Sequence, residues 1–541
     1  MSASEIQARS VQSALLNFAT MVLAHAVAFV SNAFLLRHTD EHLLGLNVRV
    51  MLLHTTVMFL AREAFRKACI SRPADGKWRG IINLVWLGVP LGAAMYLVLA
   101  YVWLAVLEPP EAKYVAVYRF GVAAQFLVVM LSLCAEAFFV VGQAYLRVKF
   151  RSAVDFLPAI GVPVFSVLMV FVFPGMENVI LRAYAVQVCW VVLFVAFFAA
   201  HVVYFQRELK RQASELKKSD GAKDEATHIP MESLSDLFPS GLEFDQERLE
   251  LFQSFFKQGF LKQLLTEGEK YMITWFSLMP LTQQGIYDVI GNLGAIPARL
   301  FFSKLEESSH LYFSQTVTRE PKARKDKELE PSRNLGILLR YLVLFGLVIM
   351  AFGYSFSHAL LHLYAGELLS GGIGPSLLRS HCALVTFLAV NGVSECYAFA
   401  VMGSEAISRY NYWMAVMTAA FMGSTYVLAK TVGPVGFVLA NCTNFAMRIA
   451  HNFHVIQRRH QDWGEENPLR GLLPDVSTIV VLILAAVGCQ VSEQMIYRPD
   501  HFLSIVYHIL VGGVIFVASM AFIGFRDPLI KNYVMKKMKR E

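Results

Sequence analysis

Charge is what this chain has least of. Only 16% of its 541 residues are Asp, Glu, Lys or Arg, against about 25% in ordinary soluble proteins. With 56% of the residues apolar, that shortage excludes a solvated globular enzyme. Cysteine is also sparse. The seven cysteines, Cys69, Cys134, Cys189, Cys382, Cys396, Cys442 and Cys489, show no pairing or metal-ligand spacing, so they read as packing residues. No Gly-x-x-x-x-Gly-Lys-Ser/Thr loop is present, which excludes an ATP-driven engine. No His-Glu-x-x-His and no Asp-x-Asp occurs. His451 and His454 stand three apart without further ligands and read as satisfied core or cavity histidines. The reading therefore includes no metal and no cofactor. The one sequon, Asn441-Cys442-Thr443, lies inside an apolar run that no glycosyl-transferring enzyme reaches.

What is present is a succession of apolar runs along the whole length. They predict an all-α polytopic membrane protein with about fourteen spans: 11–36, 43–61, 81–106, 119–142, 153–174, 181–205, 254–276, 284–304, 335–362, 379–402, 411–429, 435–457, 475–492 and 503–524. The first reads as an uncleaved anchor. With this count, 33 Lys and Arg fall on one side of the membrane, and only Arg37, Lys113, Lys430 and Arg498 fall on the other. By the positive-inside rule both termini and the long loops are cytosolic. The net charge of +7 suits an anionic cytoplasmic leaflet rather than nucleic acid. The basic tail Lys537-Met538-Lys539-Arg540-Glu541 fits a cytosolic dilysine pattern.

The spans fall into two related groups. The pair "GLNVRVMLLHTTVMFLAREAF" from Gly45 and "GIYDVIGNLGAIPARLFFSKLEE" from Gly285 match at an offset of 240 residues. Glu136 in "CAEAFFVVGQA" and Glu395 in "VSECYAFAVMG" match at 259. Six spans matching six in one orientation predict a parallel repeat, with a site between the halves at mid-membrane. The expected organisation is an N-lobe at 1–205, a cytosolic linker at 206–252, a C-lobe at 253–457, and a final part at 458–541 holding two extra spans and the tail. The linker region 206–250 carries eleven acidic and seven basic residues.

Several spans are unusually polar. Phe255–Phe276 is 22 residues long, enough to cross a bilayer, yet holds Lys257, Lys262, Glu267, Glu269 and Lys270. A charge at mid-bilayer costs at least about 2.5–3.5 kcal/mol, so these residues must face water or protein. At 3.6 residues per turn, Gln258, Lys262, Thr266 and Glu269 form one stripe, while Glu267 points the other way. In the next span Asp288, Asn292 and Arg299 share a face, and Gly291, Gly294 and Pro297 predict an irregular helix beside a cavity. Arg49, Thr56 and Glu63 share a side of span 2, Arg62 and Arg66 close it, and Arg448 sits at membrane depth in span 12. Guanidinium forks suit phosphate, so an anionic substrate is the natural inference.

The runs "SFFKQGFLKQLLTEGEKYMIT" (254–274), "GIYDVIGNLGAIPARL" (285–300), "FLAREAFRKAC" (59–69) and "VGFVLANCTN" (435–444) resemble signatures of the eukaryotic Rft family, within the multidrug/oligosaccharidyl-lipid/polysaccharide exporter superfamily. Gly291 and Pro297 depart from the expected pattern, which puts the local shape of span 8 in question. The resemblance implies an endoplasmic-reticulum protein tied to translocation of a dolichol-linked heptasaccharide. It also implies two pseudo-symmetric six-helix lobes around a central cavity lined by spans 1, 2, 7 and 8, plus two C-terminal helices. The expected activity is flipping of dolichol-diphosphate-linked Man5GlcNAc2 from the cytosolic to the luminal leaflet by alternating access without ATP, not catalysis. Arg37, Arg62, Lys262, Arg299 and Arg448 would bind the diphosphate and headgroup. Glu63, Glu267, Glu269 and Asp288 would balance charge in the cavity. The partners would be the oligosaccharide lipid and the membrane, with glycosyltransferases of the same pathway as further candidates and no nucleic acid. The alternatives are an accessory protein that binds or hands over the lipid without moving it, and, more remotely, a multidrug or organic-cation antiporter. A polytopic glycosyltransferase is disfavoured by the missing acidic metal motif.

Overall fold

The computed structural model describes residues 23, 26–69, 78–145, 148–216, 229, 231–241, 243–317, 325–461, 468–469 and 472–526. The start of span 1 and the basic tail lie outside the described residues. Among those described the chain is almost wholly helical and has no strand. Its helices are α1 (Ala26–Leu36), α2 (Glu41–Cys69), α3 (Arg79–Trp86), α4 (Gly88–Tyr101), α5 (Val115–Cys134), α6 (Glu136–Ala144), α7 (Val148–Val172), α8 (Val179–Leu216) and α9 (Gln246–Trp275). They continue with α10 (Leu281–Gly294), α11 (Ser303–Thr316), α12 (Lys325–Ala365), α13 (Glu367–Ser370), α14 (Gly374–Val401), α15 (Ser404–Val432), α16 (Val435–Gln461), α17 (Val476–Met495) and α18 (Phe502–Arg526).

Nine helices among the described residues are long and apolar enough to cross a membrane. The other five expected spans coincide with α1, α7, α9, α10 and α16. The described apolar parts of α1 and α7 are short, Ala26–Leu36 and Leu157–Val172. The helices α9, α10 and α16 carry the polar residues singled out above. Packing divides the chain into two compact units, Met1–Gly285 and Ile286–Glu541.

In the first unit α2 and the helical stretch Ala112–Ala144 are central, with 61% and 67% of their apolar windows buried, against 17% for Arg79–Val106 and Met176–Ser214. Leu46, Val50, Leu53 and Val57 of α2 pack with Tyr96, Trp103, Val122 and Val129 in one core cluster. A second gathers Phe65, Ile81, Leu84, Phe138, Phe205 and Leu237. The helix α9 starts at an Asp245 N-cap, whose carboxylate accepts the Arg248 N–H at 3.0 Å. It then runs antiparallel along α2. Phe252 stacks on Phe65 with ring centroids 4.1 Å apart, Lys262 Nζ lies 5.7 Å from the Phe59 ring centroid, and the Tyr271 hydroxyl meets Thr56 Oγ1 at 2.7 Å.

The polar segment before α9 is not loose throughout. The α8 helix extends to Leu216, and the described residues between 229 and 245 fold back on α3. Ile229 and Leu237 are fully buried. Trp86 Nε1 donates to Leu237 O at 2.8 Å, and Asn83 Nδ2 donates to Glu243 O at 2.9 Å. The Asn83 Oδ1 accepts the Ser240 N–H at 2.9 Å. Asn83→Ala removes two bonds worth about 1 kcal/mol each. Protease cleavage within 229–245 is therefore expected to accelerate roughly tenfold or more, with the rest of the chain unaffected; an unchanged cleavage rate would refute the clasp.

In the second unit α14 lies at the centre against α12, α16 and α11. Its Pro375 occupies the first turn, where the missing N–H costs nothing. Gly433, with φ +72°, ends α15 in a conformation that side chains avoid. The last two helices are held by polar contacts rather than apolar packing alone. Arg379 Nη2 donates to Glu493 Oε1 at 2.7 Å, His358 Nδ1 lies 2.9 Å from the Tyr497 hydroxyl, and His508 Nδ1 lies 2.8 Å from Ser492 Oγ.

Candidate functional site

The predicted stripe on α9 is visible in the structure. Gln258, Lys262 and Thr266 are exposed along one side, and Gly259 and Gly268 are buried. Gly259 faces Phe59 of α2, where an added Cβ would lie 3.8 Å from the ring. Glu267 finds its partner one turn along the same helix, Lys270 at 3.3 Å. The half-buried Glu269 also has an interaction partner. Lys257 is exposed. The charges of the helix thus sit on a wet face or pair locally, as the cost of an unpaired charge in hydrocarbon requires.

The stripe on α2 divides into two. Arg49 and Thr56 are buried, not facing a cavity. Arg49 Nη1 donates to Glu108 O at 2.9 Å, and its Nε donates to Gln284 Oε1 at 3.4 Å. Carbonyl and amide oxygens on neighbouring segments satisfy the guanidinium inside the unit. Glu63 pairs with Lys67 at 3.2 Å on the half-exposed side. Arg62 lies 3.9 Å from Glu136. Its neighbour Arg66 makes the stronger contact, a two-pronged pair from Nε and Nη2 to Glu136 at 2.6 and 2.7 Å, with its guanidinium 3.5 Å above the Phe139 ring. Arg37 lies in the turn after α1 with an exposed side chain.

In the second unit Asp288, Asn292 and Arg299 form a ladder. Arg299 Nη2 donates to Asn292 Oδ1 at 2.8 Å, and Asn292 Nδ2 donates to Asp288 Oδ2 at 3.0 Å. The helix breaks where Gly294 and Pro297 stand: α10 ends at Gly294, and Ala298–Phe302 forms a wide π-helical turn. That turn presents Arg299 on an exposed surface. Its guanidinium meets no carboxylate among the described residues. Arg448 is different. Its Nη2 donates to both oxygens of Glu395, at 3.0 and 2.8 Å.

Of the candidates, the structure places Lys262 over the Phe59 ring and Arg62 near Glu136, joins Asp288 to Arg299 through Asn292, and ties Arg448 to a carboxylate. The residues that sequence reasoning passed over are Arg66, Glu136 and Glu395 as partners. The signal was available, because a Glu inside an apolar span demands a cation.

Among the described residues the chain is an all-helical, membrane-type architecture with exposed arginines on broken or charged helices, and solved folds share that architecture. The structure is similar to lipid II flippase MurJ in an inward closed conformation, with a TM-score of 0.57 and 10% identity over 94% of this chain and 99% of that one. It is also similar to an inward-facing multidrug resistance MATE family transporter, with a TM-score of 0.55 and 14% identity over 81% and 95%. The family model described as Rft protein matches residues 9–537, and the chain belongs to that family. Among curated relatives, the Man(5)GlcNAc(2)-PP-dolichol translocation protein RFT1 of Xenopus tropicalis is 37% identical over 517 residues, 95% of this chain and 94% of the relative. The protein of the same name from Mus musculus is 34% identical over 522 residues.

Proposed function

We propose that this protein moves the dolichol-diphosphate-linked Man5GlcNAc2 oligosaccharide across the endoplasmic-reticulum membrane, as a transporter and not an enzyme. The observation that carries this reading is end-to-end similarity to relatives whose name states that translocation. The fold, shared with a lipid-linked saccharide flippase, agrees with it. Fourteen spans in two six-helix repeats with a C-terminal pair, termini in the cytosol and alternating access without ATP belong to the same reading. So do the lobe limits 1–205 and 253–457, flanking the linker at 206–252.

The headgroup is polar and anionic and does not cross hydrocarbon unaided. Within this reading the diphosphate is held first by Arg299, whose guanidinium fork is exposed and has no carboxylate partner among the described residues. Lys262 and Arg62 lie along exposed polar faces, with Arg37 and Arg448 as further cations. Glu63, Glu267, Glu269 and Asp288 keep these groups balanced when no anion is bound. Glycosyltransferases of the same pathway would accept the lipid on the far side.

The test is translocation in vesicles reconstituted with the purified chain. A labelled oligosaccharide lipid is followed by its protection from an external lectin. Arg299→Ala removes charge-assisted hydrogen bonds worth about 1.5–3 kcal/mol, so the rate is expected to fall roughly 10- to 100-fold. Arg299→Lys should recover only part of it, since an ammonium lacks the fork. Lipid binding without protein-dependent protection would instead establish the accessory role.

A further inference from the structure

The two halves treat their matched glutamates differently. The 240-residue offset that relates Gly45 to Gly285 carries Arg66 onto Glu306. In the first unit Arg66 is the cation that neutralises Glu136. In the second, the matched position on α11 is itself a carboxylate, Glu306, and it packs against α14 within one turn of the matched glutamate, Glu395. Glu306 Oε1 lies directly against Gly392, one turn before Glu395 on α14, where any Cβ would overlap it. Arg448 from α16 has replaced Arg66 as the cation. The unit therefore sets two carboxylates against one arginine.

One buried atom in this cluster is an acceptor left open to a hydrogen. Asn391 is buried and touches Glu395, to which its Nδ2 donates at 3.0 Å, but its Oδ1 has no partner. An amide oxygen buried without a donor is costly. A neutral carboxyl beside it supplies the O–H that it lacks. The other titratable groups around the pair are Cys396 on α14, Tyr410 on α15 and His451 on α16.

We propose that Glu306 and Glu395 form a proton-binding site that holds one proton between them and competes with Arg448 for Glu395. When Arg448 is held by Glu395, the second carboxylate is tolerated. When an anion draws Arg448 away, two neighbouring carboxylates remain, and like charges at one site cannot both stay ionised. The pair then takes up a proton from water, and its neutral carboxyl donates to Asn391 Oδ1. Resting on the translocation reading, this makes capture of the anionic diphosphate a proton-linked event. Acid would favour the captured state, and alkali would return Arg448 to Glu395.

The site is tested without transport. Infrared difference spectra of the full chain in lipid nanodiscs, titrated between acid and alkali, should show one protonated-carboxyl band with a midpoint well above the ordinary glutamate range. Glu306→Gln and Glu395→Gln should each abolish it. Gly392→Ala keeps both carboxyls but displaces Glu306, and should lower the midpoint by about one pH unit or more. Inorganic pyrophosphate should bind up to about tenfold more tightly per unit of acidification at full linkage, and Glu306→Gln should remove that slope. A band that survives both glutamine variants, or no band at all, overturns the proposal. A midpoint that follows sodium concentration overturns it in favour of a sodium site. The infrared readout needs no flipping, so a chain that fails to translocate the lipid can still show the carboxyl band, and the two failures are distinguishable.

Discussion

Glu136→Ala is expected to destabilise the first unit by about 3 kcal/mol, a larger loss than removal of any exposed charge in the molecule. The Glu136 side chain is 8% exposed, and it accepts two bonds from Arg66 at 2.6 and 2.7 Å. Removing one partner of a buried pair typically costs about 3–5 kcal/mol, because the other charge is left behind. The lower figure applies here since Arg66 keeps 22% of its surface in water and rests on the Phe139 ring. Thermal unfolding in detergent reads the effect as a drop of several degrees in melting temperature. Glu136→Gln, which keeps the shape and one acceptor, should lose less. Arg66→Met combined with Glu136→Leu should recover much of the stability, because a fully apolar replacement leaves no orphan charge. If Glu136→Ala melts with the parent chain, the pair is ornamental and solvent hydrates Arg66 in its place.

This pair also marks where sequence reading reached its limit. The period of 3.6 residues was enough to place Gln258, Lys262 and Thr266 on one exposed side of α9, because helix geometry is local. Gly294 and Pro297 announced the break that presents Arg299, because backbone restrictions are local too. Partners are not local. Arg66 and Glu136 lie 70 residues apart, and Glu395 and Arg448 lie 53 apart. Nothing in the spacing distinguishes an arginine awaiting phosphate from one already held by a carboxylate. Arg49 illustrates the same limit. It shares a helical face with Thr56, yet it is satisfied by Glu108 O and Gln284. Such contacts exist only once the chain has folded. The hydropathy signal was similarly divided. Nine helices among the described residues declare themselves as spans, while α9, α10 and α16 carry more polar groups and so look least like spans.

Gly45→Ala is expected to be the most damaging single-atom change in the first unit. An added Cβ would overlap the carbonyl oxygen of Leu281. Gly285 approaches from the other side, where its own Cβ would fall 2.7 Å from the Gly45 nitrogen. Small residues let helix backbones approach this closely. Overpacking usually costs about 1–3 kcal/mol because side chains can turn aside. A backbone carbonyl has no rotamer to turn to, so the cost here reaches the top of that range or beyond. The two glycines are also the first residues of the matched sequences that define the repeat. Gly45→Ala and Gly285→Ala should therefore fail in the same way, each giving little folded protein by size-exclusion chromatography. A control at Gly423, where an added Cβ meets nothing within 4 Å, should fold as the parent does. If Gly45→Ala behaved like that control, the close crossing of α2 with the start of α10 would not exist in the folded protein. The register that aligns Thr56 with Tyr271 would then have to be set by the polar contacts alone.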